Sequence, residues 1–182
     1  KHTQRLGQLI GDLFELSKLD AASVQPTLEM FSLAELLHDV SQEFELEAER
    51  REIALKVETR QQAAMVEADI GLMQRVLENL LRNALKFTPA GGEVTIHLDP
   101  RPGAVRVAVS DTGCGIPDED LERIFERFYH ASTPSSAQDS STGLGLAIVK
   151  RILDLHGTRI TVTSRVNQGT RFEFDLPVAE AA

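Results

Sequence analysis

Asn79, Asn83 and Lys86 stand four and then three residues apart, a spacing that places them as neighbours on one side of a helix. Two amide oxygens and an ammonium presented together can hold a hydrated divalent cation and a phosphate. A solvated helix face with ordinary polar residues is the competing reading of the helix taken alone. A second candidate is Asp111-Thr112-Gly113-Cys114-Gly115-Ile116-Pro117, where two glycines one residue apart allow positive φ and close backbone approach. An Asp beside such a turn can accept a hydrogen bond from an exocyclic amine, although Asp-x-Gly-x-Gly is also a common turn. Cys114 has no His or Asp at a nucleophile's spacing and reads as a small filler. A third candidate is Thr142-Gly143-Leu144-Gly145-Leu146, a glycine-rich turn running into a helix. Free N–H groups and the positive dipole end at such a start suit phosphates.

The elements that must position these residues are legible from periodicity. Leu72, Met73, Val76, Leu77, Leu80, Leu81 and Ala84 form the apolar stripe of an amphipathic helix, which Asp69 is placed to cap and Pro89-Ala90-Gly91-Gly92 breaks. Ser32 and Glu35 form a capping box ahead of a stripe through Leu33, Leu36, Leu37, Val40, Phe44 and Ala48, ending near Arg51. Strands are predicted at Thr27–Phe31, Ile53–Val57, Met65–Val66, Glu93–Asp99, Ala104–Ser110, Arg159–Ser164 and Thr170–Leu176, with Pro100-Arg101-Pro102-Gly103 as a hairpin turn. Asp118 to Arg127 is predicted as a short helix leading into the aromatic cluster Phe125, Phe128 and Tyr129, a packing element. The polar run from His130 to Ser141 cannot bury itself and is expected to be a mobile loop. Near the N-terminus Leu6, Leu9, Leu13 and Leu16, with Ile10 and Phe14 beside them, trace a heptad seam. That stub is expected to end a helix that pairs with another; packing on its own domain is the alternative. Ala21 to Gln25 and Pro26 mark the boundary, so residues 1–20 and 21–182 are expected to be separate units.

The 182 residues suit a single globular domain with an appendage, and a net charge of -9 argues against nucleic acid or an anionic membrane as the main partner. A lone cysteine fits a reducing compartment, so a cytoplasmic location is expected. No run of apolar residues is long enough to span a bilayer and no signal pattern opens the chain. A start at Lys1 suggests a piece of something longer.

Taken in order, these motifs resemble the catalytic, ATP-binding domain of a sensor histidine kinase, over nearly the whole chain from Pro26 to Pro177. The asparagine helix matches the N box, Asp111 to Gly115 the first glycine box, Phe125 to Phe128 the F box and Gly143-Leu144-Gly145 the second glycine box; Gly169-Thr170 falls at a further glycine motif. The resemblance implies an α+β two-layer sandwich, a mixed sheet of about five strands with three main helices on one face, as in the gyrase and histidine-kinase ATP-binding fold. It implies that Asn79, Asn83 and Lys86 handle Mg²⁺ and phosphates, with Asn83 as metal ligand, and that Asp111 reads the adenine amine. The nucleotide contacts implied are Asn79, Asn83, Lys86, Phe87, Asp111, Gly113, Gly115, Ile116, Phe128, Thr142, Gly143, Leu144, Gly145, Leu146 and Thr170.

As partners the resemblance implies ATP or ADP, the protein's own dimerisation hairpin domain and a response regulator, in a parent protein that is homodimeric and anchored in the inner (plasma) membrane. Residues 1–20 look like the end of the second hairpin helix. The implied activity is transfer of the γ-phosphate to a histidine on that hairpin, in two-component signal transduction. No His-Glu-x-x-Thr-Pro phosphoacceptor occurs in the chain, and His2, His38, His97 and His156 read as structural. Three further departures stand out: His130 where arginine is frequent, Ser141 where the second glycine box often opens with glycine, and Thr158 and Asn167 at positions that are often glycine. A hydrolytic ATPase of the same fold would carry Glu where Asn79 stands. A nucleotide-binding module that is non-catalytic or biased toward phosphatase activity is the other alternative.

Overall fold

Asp69 starts the central helix as the spacing predicts: its carboxylate accepts from the Leu72 amide at 3.0 Å, while its other oxygen accepts from Thr27 N at 2.9 Å. The computed structural model describes residues 2–21, 24–59, 65–131 and 142–179. In order the elements are α1 (His2–Asp20), β1 (Glu29–Ser32), α2 (Leu33–Arg50), β2 (Ala54–Thr59), β3 (Met65–Ala68), α3 (Ile70–Phe87), β4 (Glu93–Arg101), β5 (Ala104–Asp111), a 3₁₀ turn (Asp118–Asp120), α4 (Gly145–Leu155), β6 (Thr161–Arg165) and β7 (Gly169–Pro177). The capping box also forms, Ser32 Oγ accepting from Glu35 N at 3.3 Å.

Five strands make one mixed sheet in the order β2-β4-β5-β7-β6, β2 running parallel to β4 and the other neighbours antiparallel. A parallel pair needs a long crossover, and α3 lies within the one that links β2 to β4. β1 and β3 form a separate antiparallel ribbon. Register puts Val94, Ile96 and Leu98 of β4 on the same face as Val105, Val107 and Val109 of β5 and Phe172, Phe174 and Leu176 of β7. All of these are buried, against α3 residues Met73, Val76, Leu77, Leu80, Leu81, Ala84 and Leu85 and α4 residues Ile148, Val149, Ile152 and Leu153. Full burial of one such side chain contributes roughly 1.5–3 kcal/mol. The opposite sheet face is polar: Arg106 donates to both carboxylate oxygens of Asp175, at 2.8 and 2.9 Å, and lies beside Glu173.

Two expectations are corrected. Residues 118–127 do not form a helix: only Asp118–Asp120 is helical, as 3₁₀, and turns follow. Its centre is held by side chains instead, with Phe125 edge-on to Phe172 and Ile124 buried. The hairpin turn after β4 is shorter than predicted, because Pro100 and Arg101 pair with Val105 and Ala104 and only Pro102-Gly103 turns. The heptad series of α1 divides: its last member, Leu16, is buried together with Leu19, while Leu6 and Leu13 and the flanking Ile10 and Phe14 are exposed. The loop expected at 130–141 falls mostly outside the described residues. Among the described residues no helix is long and apolar enough to cross a membrane.

Candidate functional site

The inward series of β5, Val105-Val107-Val109, ends with Asp111 on the same face. Asp111 pairs with Thr170, which pairs in turn with Ser164 of β6, so a polar row closes an otherwise apolar sheet face. Ser164 was not singled out in the sequence, although it continues the inward alternation of β6. Its hydroxyl lies 2.9 Å from Thr170 Oγ1 and accepts from Ile116 N at 2.8 Å, fixing the exit of the turn. Burial pushes the Asp111 carboxyl up to about 6, against the opposite effect of the backbone amides of Gly113 and Thr170. Gly113 N donates to Asp111 Oδ1 at 2.8 Å.

Glycine at the turn is a steric requirement. A Cβ on Gly115, whose φ is +69°, would stand 2.0 Å from Arg165 O, and one on Gly113 would stand 2.4 Å from Phe87 O. On Gly169, at φ +87°, it would meet Asp111 O at 1.9 Å. The turn is thereby pressed against the C-terminal end of α3, where Cys114 N donates to Phe87 O at 3.3 Å. Asn167 adopts φ +60° and donates its main-chain amide to Cys114 O at 2.7 Å, a left-handed conformation that asparagine accommodates.

Along α3 the polar face runs from buried Asn79 through half-buried Asn83 to Lys86, whose Nζ lies 4.6 Å over the Phe87 ring. Asn79 Nδ2 donates to Arg75 O at 2.9 Å, which turns Oδ1 toward the start of α4, 3.0 Å from where a Cβ on Gly145 would stand. Any side chain at residue 145 would therefore crowd the amide. Gly143, at φ +70°, packs against Phe128, whose own φ is +62° and whose amide donates to Gly143 O at 2.9 Å. Phe128 is exposed and Leu146 partly buried, whereas the Leu144 side chain is wholly in the core, so only its backbone can meet a ligand. The structure thus brings the asparagine helix, the glycine turn after β5, the aromatic segment and the start of α4 together.

Residues 68–180 match the family described as histidine kinase-, DNA gyrase B- and HSP90-like ATPases. The chain belongs to that family. Hybrid signal transduction histidine kinase D of Dictyostelium discoideum is 34% identical over 183 residues, covering 98% of this chain and 12% of that protein. Sensor histidine kinase WalK of Bacillus subtilis is 34% identical over 181 residues, covering 98% of this chain and 29% of that protein. Among solved structures, full-length ShkA in complex with AMPPNP superposes with a TM-score of 0.85 at 32% identity, covering 97% of this chain and 36% of that one. Histidine kinase ThkA in complex with the response regulator protein TrrA gives a TM-score of 0.81 at 30% identity, covering 97% of this chain and 49% of that one. The chain therefore spans less than a third of the length of these two curated relatives. Its two-layer sandwich is the ATP-binding fold of the histidine kinases, and its relatives act in two-component signalling.

Proposed function

We propose that this domain binds ATP between α3 and α4 and transfers its γ-phosphoryl group to a histidine of a dimerisation hairpin domain outside the chain. The observation that carries the reading is Asp111, a half-buried carboxylate at the end of an apolar face in a turn that only glycine can make. The purine ring would lie on that apolar face with its amine on the carboxylate. The main-chain N–H groups at Gly143, Leu144 and Gly145 and the ammonium of Lys86 suit the phosphates.

The donor set also fits Mg²⁺. Among the described residues no cluster of three or more His, Cys, Asp and Glu converges as a metal site, and Mg²⁺ characteristically takes few protein ligands beside phosphate oxygens and water. Asn83, with Asn79 a turn away, would hold it, and when bound it supplies charge neutralisation at the β- and γ-phosphates. The protein's own task is positioning. An imidazole nitrogen of the acceptor forms the bond to the γ-phosphorus, the bond to the bridging oxygen breaks, and ADP leaves with the electron pair. Asn79 stands where a hydrolytic relative would place a glutamate base, and an amide cannot activate water, which favours transfer over hydrolysis.

Residues 1–20 are read as the end of the second hairpin helix, and the exposed Leu6, Ile10, Leu13 and Phe14 on α1 suit a helical partner. The whole protein is read as a homodimer anchored in the inner membrane with this domain in the cytoplasm, passing phosphate to a response regulator; the ThkA complex with TrrA is consistent with that last step. Calorimetric titration with ADP tests the site: Asp111→Ala should weaken binding by roughly 10- to 150-fold, the equivalent of about 1.5–3 kcal/mol for a buried charge-assisted hydrogen bond. Unchanged affinity would remove Asp111 from the adenine site.

A further inference from the structure

Phe128 holds a left-handed backbone at φ +62° although the residue is 53% exposed. Such a conformation is unfavourable for phenylalanine and persists only where the surroundings enforce it, and packing of an exposed ring does not. On one side the constraint comes from the main chain, where the Phe128 amide donates to Gly143 O at 2.9 Å. On the other side it comes from Tyr129, whose hydroxyl donates to Asp120 Oδ1.

Asp120 is a carboxylate only 4% exposed that the transfer chemistry does not use. Its main chain is anchored at the exit of the turn after β5: its amide donates to Pro117 O at 2.9 Å, and its carbonyl accepts from Arg123 N at 2.9 Å and Ile124 N at 3.0 Å. The Arg123 guanidinium lies 4.4 Å from the centre of the Tyr129 ring, and Phe125 stands edge-on to Phe172 of β7. Hydrogen bonding to the Asp120 carboxylate holds the Tyr129 phenol above its ordinary range, so the hydroxyl stays the donor. Bonds to a charged acceptor are the stronger kind, and burial of the acceptor strengthens them further.

Beyond Phe128 the path to the ligand is short. Gly143, at φ +70°, lies so close that a Cβ on it would stand 2.8 Å from Phe128 Cα, and it opens the run of amides through Leu144 and Gly145 that suits phosphates. Asp120 thus joins the exit of the glycine turn to the phosphate end of the site by a chain of direct contacts.

We infer that Asp120 is a positioning residue for the nucleotide: by taking the Tyr129 hydroxyl it holds Phe128 left-handed, and through the Phe128–Gly143 bond it keeps the amides at the start of α4 aimed at the phosphates. The inference rests on the ATP reading above. The base end is framed separately, by Asp111, Gly113 and Gly115, so loss of this brace weakens the hold on the phosphates and not on the base.

Titration of the full chain with a non-hydrolysable ATP analogue, by calorimetry, and with adenosine, by amide chemical shifts, tests the brace. Tyr129→Phe keeps the ring and deletes the hydroxyl, and should weaken the analogue on the order of fivefold, at the lower end of ordinary coupling strengths, while adenosine binds as before. Asp120→Ala should do the same, and Asp120→Asn, which keeps an acceptor oxygen, should restore most of the lost affinity. Without nucleotide, hydrogen exchange of the Phe128 amide should quicken in Tyr129→Phe. Should Asp120→Ala fail to fold, Tyr129→Phe decides alone. Equal losses for both ligands, loss of neither, or a Phe128 amide that exchanges as in the unaltered chain overturns the inference and leaves the ATP reading in place. Absence of analogue binding by the unaltered chain overturns the ATP reading and, with it, the role assigned to Asp120.

Discussion

Asp111 sits at the foot of a face made of Val, Ile, Leu and Phe, and this placement makes the ligand-free protein sensitive to pH. With its carboxyl raised to about 6 against an ordinary value near 4, the folded chain holds a proton between about pH 4 and 6 that the unfolded chain has released. Stability from this group is thus fully present below about pH 4 and is lost as the pH rises through about 6, a change of roughly 2–3 kcal/mol. Asp111→Asn, which cannot ionise, should remove that fall, so denaturant midpoints of the two proteins should diverge in favour of the variant above about pH 6. Equal pH profiles would show that the carboxyl is not desolvated. Asn83→Ala should weaken Mg²⁺-dependent binding of ATP more than metal-free binding of ADP, because its amide oxygen is assigned to the cation. Titrations with and without chelator compare the two, and equal losses would contradict a metal role.

At the scale of elements, the glycines separate into those that a site requires and those that only a turn requires. Gly115 and Gly157 have the same φ, +69°, but a Cβ at Gly115 meets backbone at 2.0 Å and one at Gly157 meets nothing within 4 Å. Gly157→Ala should therefore lose only about 1–2 kcal/mol, the left-handed backbone penalty. Gly115→Ala should lose upwards of about 3 kcal/mol or shift the turn away from Phe87 and Ser164. Urea denaturation of the two variants gives the comparison. A similar reciprocity joins Phe128 and Gly143, both left-handed and hydrogen-bonded to each other, so the aromatic segment and the start of α4 are held as one unit.

At the scale of the molecule, α1 lies against the sandwich with Leu6, Ile10, Leu13 and Phe14 exposed. No His-Glu-x-x-Thr-Pro acceptor lies in the chain, so it should bind ATP without labelling itself. With labelled ATP no acid-labile phosphoryl group should form on it, while a hairpin domain from the parent protein added separately should become labelled slowly, by diffusional encounter. Background hydrolysis should stay low because Asn79 cannot act as a base. Stable labelling of this chain alone, or fast hydrolysis that Asn79→Ala leaves unchanged, would overturn the transfer reading.

Local order in the sequence was sufficient for the caps at Ser32 and Asp69, the stripe of α3, the paired strands β4 and β5 and the order of the motifs, because caps, periodicity and turn residues act between neighbours in the chain. Residues 118–127 defeated that reasoning, since Phe125 and Ile124 are held by β7 and the core, and such contacts override a helical spacing. Tertiary structure alone decided which row of the sheet is polar: Asp111, Thr170 and Ser164 meet only through the registers of β5, β7 and β6. It likewise decided that α1 turns Asp12, Leu16 and Leu19 toward the domain and leaves Leu6 and Leu13 of the heptad series exposed. The periodicity of a helix shows which of its residues share a face. Which face is buried depends on a partner surface built from residues far along the chain, here α4 and Thr142 ahead of it.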